Sequence, residues 1–229
     1  IQTTLGALDI TTGDGADHLI FDGLDNITLA GAFGVTTGSG DDTLLLDNGI
    51  AVSAASSAID LGDGHNNLTV HGGGVTITGA LGITGGSGID TLLFDTDFAL
   101  AVGSAAINLG DGDNILTFDG GSITANNAFS LTMGGGGDTL TLDNGVVFTA
   151  ASSGIDLGAG ANSLAVHGGS ITTTGAFDLA TGNGDDTVVF DTAVVFKAGS
   201  SAIHLGDGSN TLRFTGGSIP TILAALVIT

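Results

Sequence analysis

The chain has 229 residues, 42 of them glycine, with no cysteine, tryptophan or tyrosine and only Lys197 and Arg213 to set against 24 acidic residues. A formal charge of -22 argues against a nucleic-acid partner, which needs clustered Lys and Arg, and equally against an anionic membrane surface. At 42% hydrophobic the chain is too apolar for an acidic disordered tail, and the lack of cysteine removes disulfides and thiolate chemistry.

Read from its start, the chain first punctuates at Gly13 with the pattern Gly-x-Gly-x-(Asp/Asn), then a polar residue, then Leu or Val. Copies follow at Gly38, Gly62, Gly86, Gly110, Gly134, Gly158, Gly182 and Gly206, a step of 25 once and of 24 seven times. A period in the twenties marks a solenoid, in which each repeat buries its apolar face only by stacking on its neighbours. The expected fold is an all-β, right-handed parallel β-helix with about 24 residues and three short strands per coil, because parallel β connections favour that hand. Residues 1 to 229 would form one such domain of roughly nine coils, about 45 Å long at about 4.8 Å per coil.

Within a coil the first strand follows the glycine corner. Its inward positions hold Leu44, Leu68, Leu92, Leu116, Leu140, Leu164 and Leu212, and two residues later Phe94, Phe118, Phe190 and Phe214, since side chains alternate with period two. These are the predicted core. Two further strands follow, as in Val75 to Ile77 and then Leu81 to Ile83, or Ile171 to Thr173 and then Phe177 to Leu179. Gly-Gly, Asn-Gly and Thr-Gly pairs between strands supply the positive φ of tight corners, and three strands imply a triangular section. Helical periodicity is absent. The last apolar stretch, Ile222 to Ile228, is too short to span a bilayer and reads as a buried strand.

The corner also carries a polar column: Asp17, Asp42, Asn66, Asp90, Asn114, Asp138, Asn162, Asp186 and Asn210. From Asp42 onward aspartate and asparagine alternate, so the full unit is a 48-residue pair of coils. Electrostatics explains the alternation. Two carboxylates about 4.8 Å apart in one column would repel by about 1 kcal/mol in water and several times more in a partly buried corner. The favoured reading is a turn-capping ladder in which these side chains bond corner N–H groups and the amides donate to neighbouring carboxylates; a calcium ligand set is the alternative.

A second polar column, facing solvent by parity, runs through Asp22, Asp47, His71, Asp95, Asp119, Asp143, His167, Asp191 and Thr215. Asp95, Asp119 and Asp143 are consecutive with no neutral residue between them, which makes them the candidate metal ligands; oxygen-only donors of this kind would suit Ca²⁺ or Mg²⁺. His71 and His167 fall between carboxylates. No cofactor is required by any of this, and a solvated acidic stripe remains the plainer reading.

The segments GDGxNxLxF and GxGDDTLxF resemble the glycine- and aspartate-rich β-helical repeats of bacterial autotransporter-like adhesins and extracellular fibre proteins. That resemblance implies export to the bacterial surface, a role in adhesion, biofilm or shape, and no catalytic residues. The corner also resembles the calcium-binding nonapeptide repeats of secreted toxins. Here, however, one half-motif occurs in each coil rather than in each nonapeptide, so that ligand scheme does not transfer.

An enzyme reading is disfavoured. β-Helical lyases rely on Arg or Lys, of which two are present, and the acid pairs recur in every coil whereas a catalytic site breaks a repeat locally. Alternate-coil threonines at Thr43, Thr91, Thr139 and Thr187 do not make the unbroken double ladder expected of an ice-binding face. The chain opens at Ile1, which reads as a processed or excised segment. Strand edges without charged or proline-rich caps invite addition of a further coil. The expected partner is therefore the chain itself, head to tail, or flanking solenoid coils. The leading expectation is a non-enzymatic structural rod of the cell surface, with an adhesin stalk as alternative and a carbohydrate-active enzyme third; the residues name no receptor or ligand.

Overall fold

A computed structural model describes residues 6–23, 26–95, 98–191, 193–216, 218–222 and 226–229. The chain winds as a parallel β-solenoid of about nine turns. One face is a nine-stranded sheet with one strand per coil, among them Thr91–Asp95, Ile115–Asp119 and Thr139–Asp143. A fifteen-stranded sheet holds all the remaining strands, and every described pairing is parallel. Leu92 lies between Leu68 and Leu116, so one turn of the solenoid equals one sequence repeat. A turn of two repeats would have paired Leu92 with Leu44 and Leu140.

Backbone conformation explains why these residues turn where they do. Gly62 and Gly158 adopt φ of 70° and 80°, and a Cβ on either would sit 1.6 Å from the carbonyl oxygen of Gly38 or Gly134 in the coil before. No side chain fits there, because corners stack carbonyl against Cα at each level. At the second corner, Gly72-Gly73 and Gly168-Gly169 alternate with Asn48-Gly49 and Asn144-Gly145, all at positive φ. Asparagine is the residue other than glycine that most readily enters the left-handed region.

The second and third strand segments differ from the simple triangular expectation. In four coils they run together as single strands, Gly74–Thr84, Ala99–Asn108, Ser122–Thr132 and Val147–Asp156. Each bends at an irregularity, where the register shifts beyond Val102 and Ala125. Val75 pairs with Leu100 and Leu100 with Ile123, so the first step is one position longer than the repeat and the second one position shorter. The bulge absorbs this stagger, and the third segment returns to the regular step, as in Ile83 to Ile107 to Leu131.

The core is continuous along the axis. Leu44, Leu68, Leu92, Phe94, Leu116, Phe118, Leu140, Leu164 and Phe190 are all buried, as their place on the strand predicts. Phe94 stacks on Phe118 with centroids 5.0 Å apart. Third-segment inward positions alternate in size, with Phe129 and Phe177 in asparagine coils and Ser153 and Ser201 in aspartate coils. Second-segment rings compensate: Phe148 and Phe196, in the serine coils, meet Phe129 and Phe177 edge to face at 5.1 and 4.9 Å.

Two core expectations fail at one end of the sheets. Phe214 is 40% exposed and Leu212 only partly buried, because Thr211–Phe214 is the outermost described strand of its sheet. Phe214 still stacks on Phe190 at 4.9 Å, so one ring face is covered and the other is open. The predicted buried strand from Ile222 to Ile228 lies partly outside the described residues. Its described part, Leu226–Ile228, pairs on one side only, and Val227 and Ile228 are exposed.

Candidate functional site

The glycine corner is where polar chemistry concentrates, since its side chains and its main-chain groups are packed at every level. Successive coils bond through their own backbone here: the Gly64 N–H donates to the Ser87 carbonyl and the Gly88 N–H to the Asp111 carbonyl, at 2.7 and 2.9 Å. A wide φ at the third corner position, 126° at Gly64 and 133° at Gly112, aims those groups along the axis.

The predicted polar column is a continuous ladder. The main-chain N–H at each level donates to the side-chain Oδ1 of the next coil: Asp17 to Asp42, Asp42 to Asn66, Asn66 to Asp90, Asp90 to Asn114, Asn114 to Asp138, Asp138 to Asn162, Asn162 to Asp186 and Asp186 to Asn210. All eight distances lie between 2.8 and 3.1 Å. Residues from Asp42 to Asp186 in this column are at most 2% exposed. Aspartate and asparagine are the residues that can do this, because a short stem carries an acceptor to a distance of one coil.

The second oxygen or nitrogen of each side chain behaves differently in the two residue types. Amide nitrogens donate to main-chain carbonyls rather than to the carboxylates expected from sequence: Asn66 to Gly62, Asn114 to Gly110 and Met133, Asn162 to Gly158 and Thr181, at 2.9 to 3.1 Å. The Oδ2 atoms of Asp17, Asp42, Asp90, Asp138 and Asp186 are buried without a hydrogen-bond partner. Burial pushes the Asp138 carboxyl from its ordinary 3.8 up to about 6, against the lowering effect of Asn114, with the charges of Asp113 and Asp111 adding to the rise. The Asp90 carboxyl is raised for the same first reason, opposed by Asn66 and His65 and assisted by Asp63.

Two outer ladders that the sequence reading did not isolate flank the buried one. Asp63 accepts the Ser87 N–H and hydroxyl, and Asp111 the Gly135 N–H. Two residues on, Asp41 accepts the His65 N–H, Asp113 the Gly137 N–H and Asp185 the Ser209 N–H. The recurring Asp at these places was a signal available in the sequence, but its direction along the axis was not.

The exposed second column is partnered rather than bare. His71 Nδ1 lies 2.7 Å from Asp95, and His167 Nδ1 the same distance from Asp191. The Asn144 amide donates to Asp119, and the Asn144 N–H to Asp143 at 2.8 Å. Asp95, Asp119 and Asp143 are therefore aligned as predicted but each bonds a neutral or imidazole group. Among the described residues, no three His, Cys, Asp or Glu side chains are grouped so as to hold a metal ion. Asn48 and Asn144, which intervene between carboxylates, were missed because they sit in the turn and reach back one coil.

A void of about 20 Å³ inside the rod is lined by Phe118, Phe129, Phe148 and other core side chains, with no polar group to orient a ligand. Comparison with known families, curated proteins and solved structures finds no match to this chain, so its architecture, a parallel β-solenoid of about nine coils, is the level at which it is classified.

Proposed function

We propose that the chain is a non-enzymatic structural element, a β-solenoid rod of the secreted or cell-surface class that joins end to end with further coils of the same geometry. The observation that carries this reading is the uniformity of the corner: eight successive ladder bonds and, among the described residues, no coil interrupted by a loop or an odd acid pair. Carboxylates that elsewhere could be acids or nucleophiles are committed here to holding main-chain N–H groups. Each coil bonds only its neighbours, so a next coil in the same register, from another copy or from flanking sequence, meets the same donors and acceptors. The charge of -22 keeps rods apart side by side.

Electron microscopy and sedimentation velocity of the purified chain test this. Fibres one solenoid wide, lengthening with concentration, are the expected result. Discrete rods at every concentration would turn the reading toward a stalk whose ends are met by flanking coils, and cleavage of a neutral polysaccharide by the purified chain would overturn it.

A further inference from the structure

Asparagine and aspartate occupy equivalent rungs of the buried ladder, yet only asparagine has a hydrogen to offer from its second atom. The Asn114 amide reaches the Met133 carbonyl, and the Asn162 amide the Thr181 carbonyl, at the same offset along the chain. That offset leads from Asp90 to Leu109 and from Asp138 to Leu157. Asp90 Oδ2 and the Leu109 carbonyl oxygen do converge: a Cβ on Gly85 would lie 2.2 Å from the first and 2.5 Å from the second. Acceptor thus faces acceptor in a site from which water is excluded, and the Oδ2 atoms of Asp90 and Asp138 are both unpartnered. Buried oxygens that converge with only lone pairs to offer repel and forgo a bond.

The remaining aspartate coils show how the chain supplies the missing hydrogen elsewhere. Thr37 precedes the corner of Asp42, and its hydroxyl donates to the Leu61 carbonyl at 2.8 Å; Thr181, before Asp186, donates to Leu205 at 2.9 Å. Gly85 and Met133 stand at that place before Asp90 and Asp138 and have no donor.

We propose that Asp90 and Asp138 are proton-binding sites, held as neutral carboxylic acids whose Oδ2–H donates to the carbonyls of Leu109 and Leu157. A carboxylic acid is hydrogen-bonded as an amide is: Oδ1 keeps the N–H of Asn66 or Asn114, and the acid hydrogen replaces the amide hydrogen. A proton needs only two oxygens to be shared between, whereas Ca²⁺ would need about six or more oxygen ligands. The charged groups around Asp90 are Asp63 and His65 on the coil before and Asp111 and Asp113 on the coil after. Around Asp138 they are Asp111 and Asp113 before, while Ala159 and Ala161 after it are neutral. This acidic surround favours the neutral form at both sites and most at Asp138, which has no imidazole nearby.

The two loaded rungs sit in the middle of the rod, so proton release there loosens axial stacking from within. Because the folded carboxyls are raised above the unfolded value, their contribution is complete below about pH 4 and is lost as the pH rises through the folded values, about 6 for Asp138. Thermal melts of the full chain and of the D90N/D138N variant between about pH 4 and 8 test the proposal, with ¹³C carboxyl titration of the unsubstituted chain as a reading independent of any variant. The expected results are a midpoint that falls with pH in the chain itself, a much flatter profile and a higher midpoint at pH 7 in the variant, and two carboxyl resonances that titrate well after the exposed aspartates. Overturning results are a variant that melts lower at pH 7 or fails to fold, all carboxyls titrating together near their ordinary value, or stabilisation of the unsubstituted chain by Ca²⁺ at pH 7 that the variant lacks.

Discussion

Coils with asparagine in the corner and coils with aspartate there have the same length but differ in three linked ways. Asparagine coils close the second corner with Gly-Gly, place a large residue such as Phe129 or Phe177 in the third segment, and satisfy the corner carbonyls with an amide. Aspartate coils close with Asn-Gly in the cases of Asn48 and Asn144, place Ser153 or Ser201 opposite those rings, and leave a carboxylate oxygen unbonded. The difference teaches that the pair of coils is the packing unit: ring fits small residue, turn asparagine meets carboxylate, and in the buried corner ladder every carboxylate after Asp42 is separated from the next by an amide.

The comparison is broken most severely at a glycine common to both coil types. Gly158→Val forces a side chain into the Gly134 carbonyl and should cost more than about 4 kcal/mol, read as loss of the cooperative melt and rapid proteolysis. Next in size, Leu116→Ala removes a fully buried side chain and should lower stability by about 2–5 kcal/mol in a denaturant titration. Phe214→Ala, stacked on one face only, should cost much less in the same titration. If the two were equal, the burial contrast along the rod would be wrong.

Making the coil types alike sharpens the argument about charge. Asn114→Asp would put carboxylates at three successive rungs and remove the amide bonds to Gly110 and Met133; a loss of about 1–3 kcal/mol at neutral pH is expected. Acidification should recover part of it, because the new carboxyl is protonated more readily in the folded chain than in the unfolded one. A loss independent of pH would assign the alternation to shape rather than charge. The smallest effect belongs to the exposed column: His71→Ala removes a half-exposed pair with Asp95 and should change the melting midpoint by less than the equivalent of about 1 kcal/mol.

Much of the architecture was legible in the sequence, because a solenoid writes each contact into its own repeat. The regular step, the inward Leu and Phe columns and the Asp/Asn ladder follow from spacing and alternation alone. Three things were not legible. The long step from Val75 to Leu100 and the short one from Leu100 to Ile123 cancel within a pair of coils, so the period hides them. Asn144 reaches Asp119 across a coil boundary, a contact that no alignment of equivalent positions displays. The exposure of Phe214 depends on what lies beyond its strand rather than on its own repeat, in which it looks the same as Phe190.

Pulsed electron spin resonance distances along one outward column test the axial winding most directly, and the absence of native cysteine makes labelling clean. Thr69, Ala165 and Arg213 share that column, four and six coils apart. Labels on T69C/A165C and T69C/R213C should give separations of about 19 and about 29 Å, from about 4.8 Å per coil. Values near half of these, or a second distance no longer than the first, would contradict a chain that climbs one layer with every sequence repeat.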